Sequence, residues 1–277
     1  MKKIVYRVKS LVDQEEIYTE SFSNSEKIKI TIIINHGMGG DSNTTIPFIK
    51  EILQRIPNAQ CINYDIRGHG FSPRNFPKSN TIEKVFALDL QSICQHYQVK
   101  KPVFIGHSLG GLICQEYVNQ ALQPTPLSTV LLSSFPQFPL PNLGRKFWTG
   151  FLSRKRENNI KPKKRSVDDH FRFYQSFDYS IFRIISDINH TGVGDFLLMY
   201  LSICGWKNMH PELLDKQENL YIFGEKDLVI WPTVQKRFCQ NFTHIKQYEI
   251  LSNHNSIFNA PQKVAQIIAE KTEELST

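Results

Sequence analysis

The sequence predicts an α/β domain built on a doubly wound, mostly parallel sheet, and two observations carry that reading. Short β-branched runs alternate with longer helical patterns through the first half of the chain and again near its end. One run, Lys29 to Ile34, is almost continuously apolar, as expected of a strand covered on both faces. Bulk properties agree. The chain has 277 residues, 40% hydrophobic and 21% charged, enough to bury a large core without disulfides or metals. Wholesale disorder, collagen-like repeats and low-complexity architectures are excluded.

In order along the chain, Lys3–Lys9 and Glu15–Phe22 form an antiparallel hairpin at the sheet edge. Strands follow at 29–34, 60–64, 101–105 and 129–133, separated by helices at 45–55, 82–97 and 109–121. The rhythm then stops. Residues 135–212 are aromatic, basic and irregular, with helical stretches near 170–185 and 195–203, and read as an insertion after the sixth major strand. Alternation resumes with strands at 219–223 and 246–251 and helices at 232–239 and 261–275, where Val264, Ile267, Ile268 and Leu275 recur at helical spacing. The domain is therefore expected to comprise residues 1–134 and 213–277.

The longest apolar run, Phe196 to Ile203, is too short to span a membrane, and charges at Arg7 and Lys9 break any signal-peptide core. Five scattered cysteines (61, 94, 114, 204 and 239) show no paired spacing and read as small buried hydrophobes. A cytoplasmic location is expected. The net charge of +7 is concentrated: between 141 and 175 there are ten basic residues against three acidic ones, so this one segment carries the whole excess. It is expected to be a solvated loop, with an anionic substrate or carrier as the functional alternative. Nucleic-acid binding is disfavoured, because the aromatic and basic residues lie in separate blocks.

The chemistry centres on Gly106-His-Ser-Leu-Gly110, a G-x-S-x-G sequence between a predicted strand and a predicted helix. That context puts Ser108 on a tight turn at the carboxyl end of the sheet, with glycines on both sides relieving clashes. A serine hydroxyl needs a base, and the base needs an acid to orient it. No carboxylate occurs between Glu116 and Glu157, so the acid does not directly follow the strand ending at Ser133. The strand at 219–223 runs into Gly224-Glu-Lys-Asp227, where Asp227 is preferred because backbone donors easily lock its short side chain. Glu225 is the fallback. His254, in the loop after the strand at 246–251, is the expected base, while His244 lies at the opposite end of the sheet. Two backbone N–H groups are expected to form the oxyanion hole: that of Leu109, directly after the nucleophile, and that of Met38 in His36-Gly-Met-Gly-Gly40.

Together, HGMGG (36–40), YDIRGHGFS (64–72), GHSLGG (106–111), FGEKD (223–227) and SNHN (252–255) resemble the α/β-hydrolase fold superfamily, in its serine esterase and monoacylglycerol-lipase-like branch. The resemblance implies that Asp65 to Ser72 is a structural brace, so Arg67 and His69 are not catalytic. It also implies that 135–212 is a helical lid, whose aromatics Phe135, Phe147 and Trp148 are candidates for the acyl pocket. The family often has Gly before the catalytic His, and here the residue is Asn253. The expected activity is hydrolysis of small-molecule carboxylic esters with hydrophobic acyl groups through an acyl-enzyme, with no metal or cofactor. A thioesterase, lactonase or acyltransferase would use the same parts, and a slow-turnover ligand receptor could keep the same scaffold.

Overall fold

The computed structural model describes residues 1–77, 81–135, 164–174, 181–216 and 218–276. Its eight strands form one sheet in the order β1-β2-β4-β3-β5-β6-β7-β8. The expected edge hairpin is present: β1 (Lys2–Lys9) pairs antiparallel with β2 (Glu16–Ser23), Lys2 opposite Ser23 and Lys9 opposite Glu16. β2 is also antiparallel to β4 (Ala59–Tyr64). All remaining pairs are parallel, from β4 and β3 (Ile30–Asn35) through β5 (Val103–His107), β6 (Ser128–Leu132) and β7 (Leu220–Gly224) to β8 (Lys246–Ile250).

Alternating side chains explain why the central strand β3 is apolar on both faces. Ile32 and Ile34 enter one core layer with Cys61, Val103, Ile105, Leu132 and Ile222. Ile33, one residue out of phase, enters the other with Ile62, Phe104, Leu131 and Tyr221. The first layer is covered by α1 (Ile46–Arg55) and the long C-terminal helix α10 (Pro261–Ser276). The second is covered by α2 (Ile82–His96) and α3 (Leu109–Asn119). All five cysteines are free and buried in these layers or beside them.

Among the described residues, four helices fall within the inserted region or at its end: α4 (Val167–Tyr174), α5 (Ile181–Thr191), α6 (Val193–Ile203) and α7 (Pro211–Asp215). α6 is not set apart from the body. Leu198, Met199, Ile203 and the following Trp206 belong to the same buried cluster as α2 and α3, and Trp206 Nε1–H donates to Glu116 at 3.0 Å. The α7 segment, a 3-10 turn at Ser42–Thr45 and the one-turn α9 (Ser256–Asn259) carry too few residues for a periodic apolar signal and have no sequence-based counterpart. α8 (Pro232–Cys239) begins with a proline at its first position, as its sequence suggests. Among the described residues, no helix is long and apolar enough to cross a membrane.

Candidate active site

Ser108 is the residue between β5 and α3, and its backbone is left-handed, with φ 52° and ψ −112°. A non-glycine residue is strained there, so the surroundings must hold it. The Ser108 N–H donates to the Leu132 carbonyl of β6 at 2.9 Å, and the Ser108 carbonyl accepts from Ser134 Oγ at 3.2 Å. The flanking glycines are required by close approach. A Cβ on Gly106 would sit 2.4 Å from the Gly110 carbonyl oxygen, and one on Gly110 would sit 2.2 Å from that of Asn35.

Asp227 follows β7 and is fully buried. Its Oδ1 accepts the N–H groups of Val229 and Ile230 at 3.0 and 2.8 Å, and its Oδ2 accepts Gln235 Nε2 from α8 at 3.0 Å. His254 Nδ1–H donates to Asp227 Oδ2 at 3.0 Å, which leaves Nε2 with the lone pair a general base needs. Burial alone would push the Asp227 carboxyl up. The attraction of His254 and the hydrogen bonds from His254, Ile230 and Gln235 outweigh it and hold the group below the ordinary carboxylate value. Glu225 is exposed, and exposed His244 donates its backbone N–H to Asp215 at 2.8 Å.

The loop after β3 reaches the same place. Gly37, Met38, Gly40, His107, Ser108 and His254 line one cavity of about 20 Å³, room for about one water molecule. Thr44 and Asn255 complete its wall. Among the described residues, neither the Met38 N–H nor the Leu109 N–H donates to an acceptor. Behind the loop, His36 Nδ1–H donates to the Gly37 carbonyl at 2.7 Å, while His36 Nε2 accepts the Ile66 N–H at 3.0 Å. His69 Nε2 accepts the Gly39 N–H at 3.0 Å. Burial pushes His36 down to about 4 and lowers His69 as well, so both rings are neutral braces. Arg67 lies behind them, fully buried, and forks onto Asp89 at 2.8 and 2.9 Å and onto Asp13 at 2.8 and 3.0 Å. These contacts are those of a structural brace.

Phe135 is 6% exposed in the core layer and is not part of the cavity wall, and its carbonyl accepts from Gln115 Nε2. Phe147 and Trp148 lie outside the described residues. Two contributors are invisible in the sequence. His107 Nε2–H donates to the His254 carbonyl, and Gln235 orients Asp227 from eight residues away. Neither carries a local signal: the first contact joins the ends of β5 and β8, which only the folded sheet brings near, and the second depends on how α8 turns back onto the loop after β7. Asn253, in place of the usual glycine, uses its side chain to accept the Asn255 N–H and Asn259 Nδ2 and so closes its own turn.

Comparison with known proteins is consistent with this geometry. The S. pombe protein phosphatase methylesterase 1 is 25% identical over 143 residues, covering 50% of this chain and 40% of the methylesterase. The chain thus matches less than half the length of that curated relative. An esterase from Thermogutta terrifontis, solved with malate bound, superposes with a TM-score of 0.73 at 17% identity, over 100% of both chains. An esterase from Exiguobacterium antarcticum gives 0.68 at 15%, over 99% of this chain and 100% of its own. The family model described as the alpha/beta hydrolase fold matches residues 30–261, from the first parallel strand to the start of the last helix. With that span, and with a serine turn, a histidine and a carboxylate at the carboxyl ends of three strands, the chain belongs to the α/β-hydrolase fold family.

Proposed function

We propose that the protein is a serine hydrolase that cleaves carboxylic esters of hydrophobic acyl groups through an acyl-enzyme. The observation that carries this reading is the His254–Asp227 hydrogen bond beside the cavity that Ser108 lines. His254 Nε2 takes the Ser108 proton as the hydroxyl attacks the ester carbonyl, and Asp227 stabilises the imidazolium that forms. The Met38 and Leu109 N–H groups, both without acceptors among the described residues, stabilise the oxyanion. His254 returns the proton to the leaving alcohol. It then activates water, which attacks the acyl carbon and releases the acid and Ser108. No step calls for a metal or cofactor.

One observation weighs against an anionic carrier as substrate. Lys164, at the end of the basic segment, is turned inward. Its Nζ donates to Glu20 at 2.9 Å and lies 4.6 Å from the Tyr18 ring centre. Arg165 pairs with Asp187 at 2.8 Å. These two cations are committed within the chain.

A panel of p-nitrophenyl esters and acyl thioesters of graded length, with Ser108→Ala as control, tests the reading. Ester turnover that disappears in the variant is expected. Equal turnover in both proteins, or none in either, would overturn it. A thioester preference that weakens with added salt would favour the carrier reading instead.

A further inference from the structure

The insertion grips the loop between β3 and α1 from its outer side. Arg165 reaches it two ways and is steadied by a third contact, to α5. Its guanidinium donates to the Gly39 carbonyl, its Nη1 also donates to Asp187 Oδ1 of α5 at 2.8 Å, and its backbone N–H donates to Asp41 Oδ2 at 3.0 Å. Asp187 in turn fills the space that a side chain on Gly39 would need: a Cβ there would lie 2.7 Å from the Asp187 Cβ. Two histidines complete the grip on Asp41. His170 Nε2 of α4 lies 3.0 Å from its Oδ1, and His190 Nε2 of α5 lies 3.1 Å from its Oδ2. Every one of these side chains is at most 9% exposed.

Peptide planarity gives these contacts a direction. In a trans peptide the C=O and N–H point opposite ways, so holding one end aims the other. Arg165 holds the Gly39 carbonyl, which aims the Gly40 N–H of the same peptide. The Gly40 N–H donates to the Gly37 carbonyl at 3.1 Å, which His36 Nδ1–H also holds at 2.7 Å. The Gly37 carbonyl shares its peptide with the Met38 N–H. The chain of constraint therefore runs from Arg165 through two peptide planes to the proposed oxyanion donor.

We propose that Arg165, supported by Asp187 and seated on Asp41, is a positioning residue by which the insertion sets the direction of the Met38 N–H. This rests on the serine-hydrolase reading for its catalytic consequence, and on the loop contacts alone for its structural one. The guanidinium suits the task because its fork serves a carbonyl and a carboxylate at once, which a lysine ammonium on a flexible stem does less well. The interaction is made wholly outside the cavity, so it does not touch the ester. Its removal is expected to lower kcat and leave KM nearly unchanged, because only the transition-state oxyanion uses the donor.

The test compares wild type with Arg165→Met and with the paired variant Arg165→Met/Asp187→Asn, which leaves no stranded buried carboxylate. Amide hydrogen exchange over residues 36–41 is measured alongside ester kinetics and inhibition by a boronic acid, which mimics the tetrahedral state. Expected are faster exchange at Gly40, a kcat loss of about 10- to 100-fold with KM within about twofold, and a matching loss of boronate affinity. Unchanged exchange at Gly39 and Gly40 in both variants overturns the clamp whether or not the enzyme turns over esters. Faster exchange with kcat intact overturns the catalytic consequence. Wild type lacking Ser108-dependent turnover overturns the hydrolase reading, and the exchange data still decide the clamp.

Discussion

His107 Nε2–H donates to the backbone carbonyl of His254 at 2.8 Å, so the residue just before the proposed nucleophile holds the loop that carries the proposed base. The two rings also meet, their centres 5.1 Å apart. A single side chain thereby fixes the spacing between the end of β5 and the end of β8, two strands that β6 and β7 separate in the sheet.

Replacing His107 by Phe keeps the ring and removes the donor. The His254 carbonyl then loses a buried partner, at a cost of about 1–3 kcal/mol. An accompanying drop of about tenfold in kcat/KM for the best ester is expected. Steady-state kinetics identical to wild type would show that the tie does not set the geometry of the base.

Asp227→Asn tests the orienting role of the carboxylate. An amide can present its N–H to His254 Nδ1 and so favour the wrong tautomer, and kcat should fall on the order of 10,000-fold. Because the native carboxyl titrates below its ordinary value, it contributes stability above the unfolded carboxylate range and loses it as pH falls through the folded value. The Asn variant should therefore lose less stability than wild type on acidification below about pH 4, in urea titrations across that range.

His36 gives a second pH dependence in a different window. Its folded value is about 4, against an ordinary 6.5, because burial excludes the imidazolium. Between those values the unfolded chain binds the proton and the folded chain does not. Stability is therefore full above about pH 6.5 and falls as pH drops toward 4, by on the order of 3 kcal/mol. His69, lowered for the same reason, adds in the same direction. Urea midpoints at pH 7, 5.5 and 4 should show this slope, and His36→Gln should flatten it even if the variant is less stable overall.

Gly110→Ala places a methyl group 2.2 Å from the Asn35 carbonyl oxygen, 2.6 Å from its carbonyl carbon and 2.7 Å from its Cβ, none of them the far end of a flexible side chain. Destabilisation of about 3 kcal/mol or more is expected, read as a large fall in Tm. Gly194→Ala, where a Cβ meets nothing within 4 Å, serves as the control and should leave Tm nearly unchanged.

Two ion pairs should differ sharply. Arg67→Met strands the buried Asp89 carboxylate and should cost about 3–5 kcal/mol in chemical denaturation. Lys236→Ala breaks a pair with Glu249 whose side chains are 48% and 37% exposed, and should cost less than about 1 kcal/mol. Similar losses from both would show that burial does not set what each pair contributes.

The sequence by itself determined the parallel sheet, because alternating faces that are both apolar leave few other ways to bury Ile32, Ile33 and Ile34. It also located Ser108, whose glycine neighbours announce a tight turn, and the loops holding Asp227 and His254, because each follows a recognisable strand. Only the tertiary structure decided what surrounds them. Phe135, a pocket candidate through the resemblance, lies in the core layer, and an apolar ring carries no mark of which space it fills. The basic segment reads as a solvated loop, yet its Lys164 and Arg165 bury against Glu20 and Asp187, carboxylates 144 and 22 residues away. The grip of Arg165, His170 and His190 on the loop after β3 has no sequence signature for the same reason. Local periodicity records which face of an element is apolar, whereas the pairing of charges across distant segments is fixed by how those elements pack.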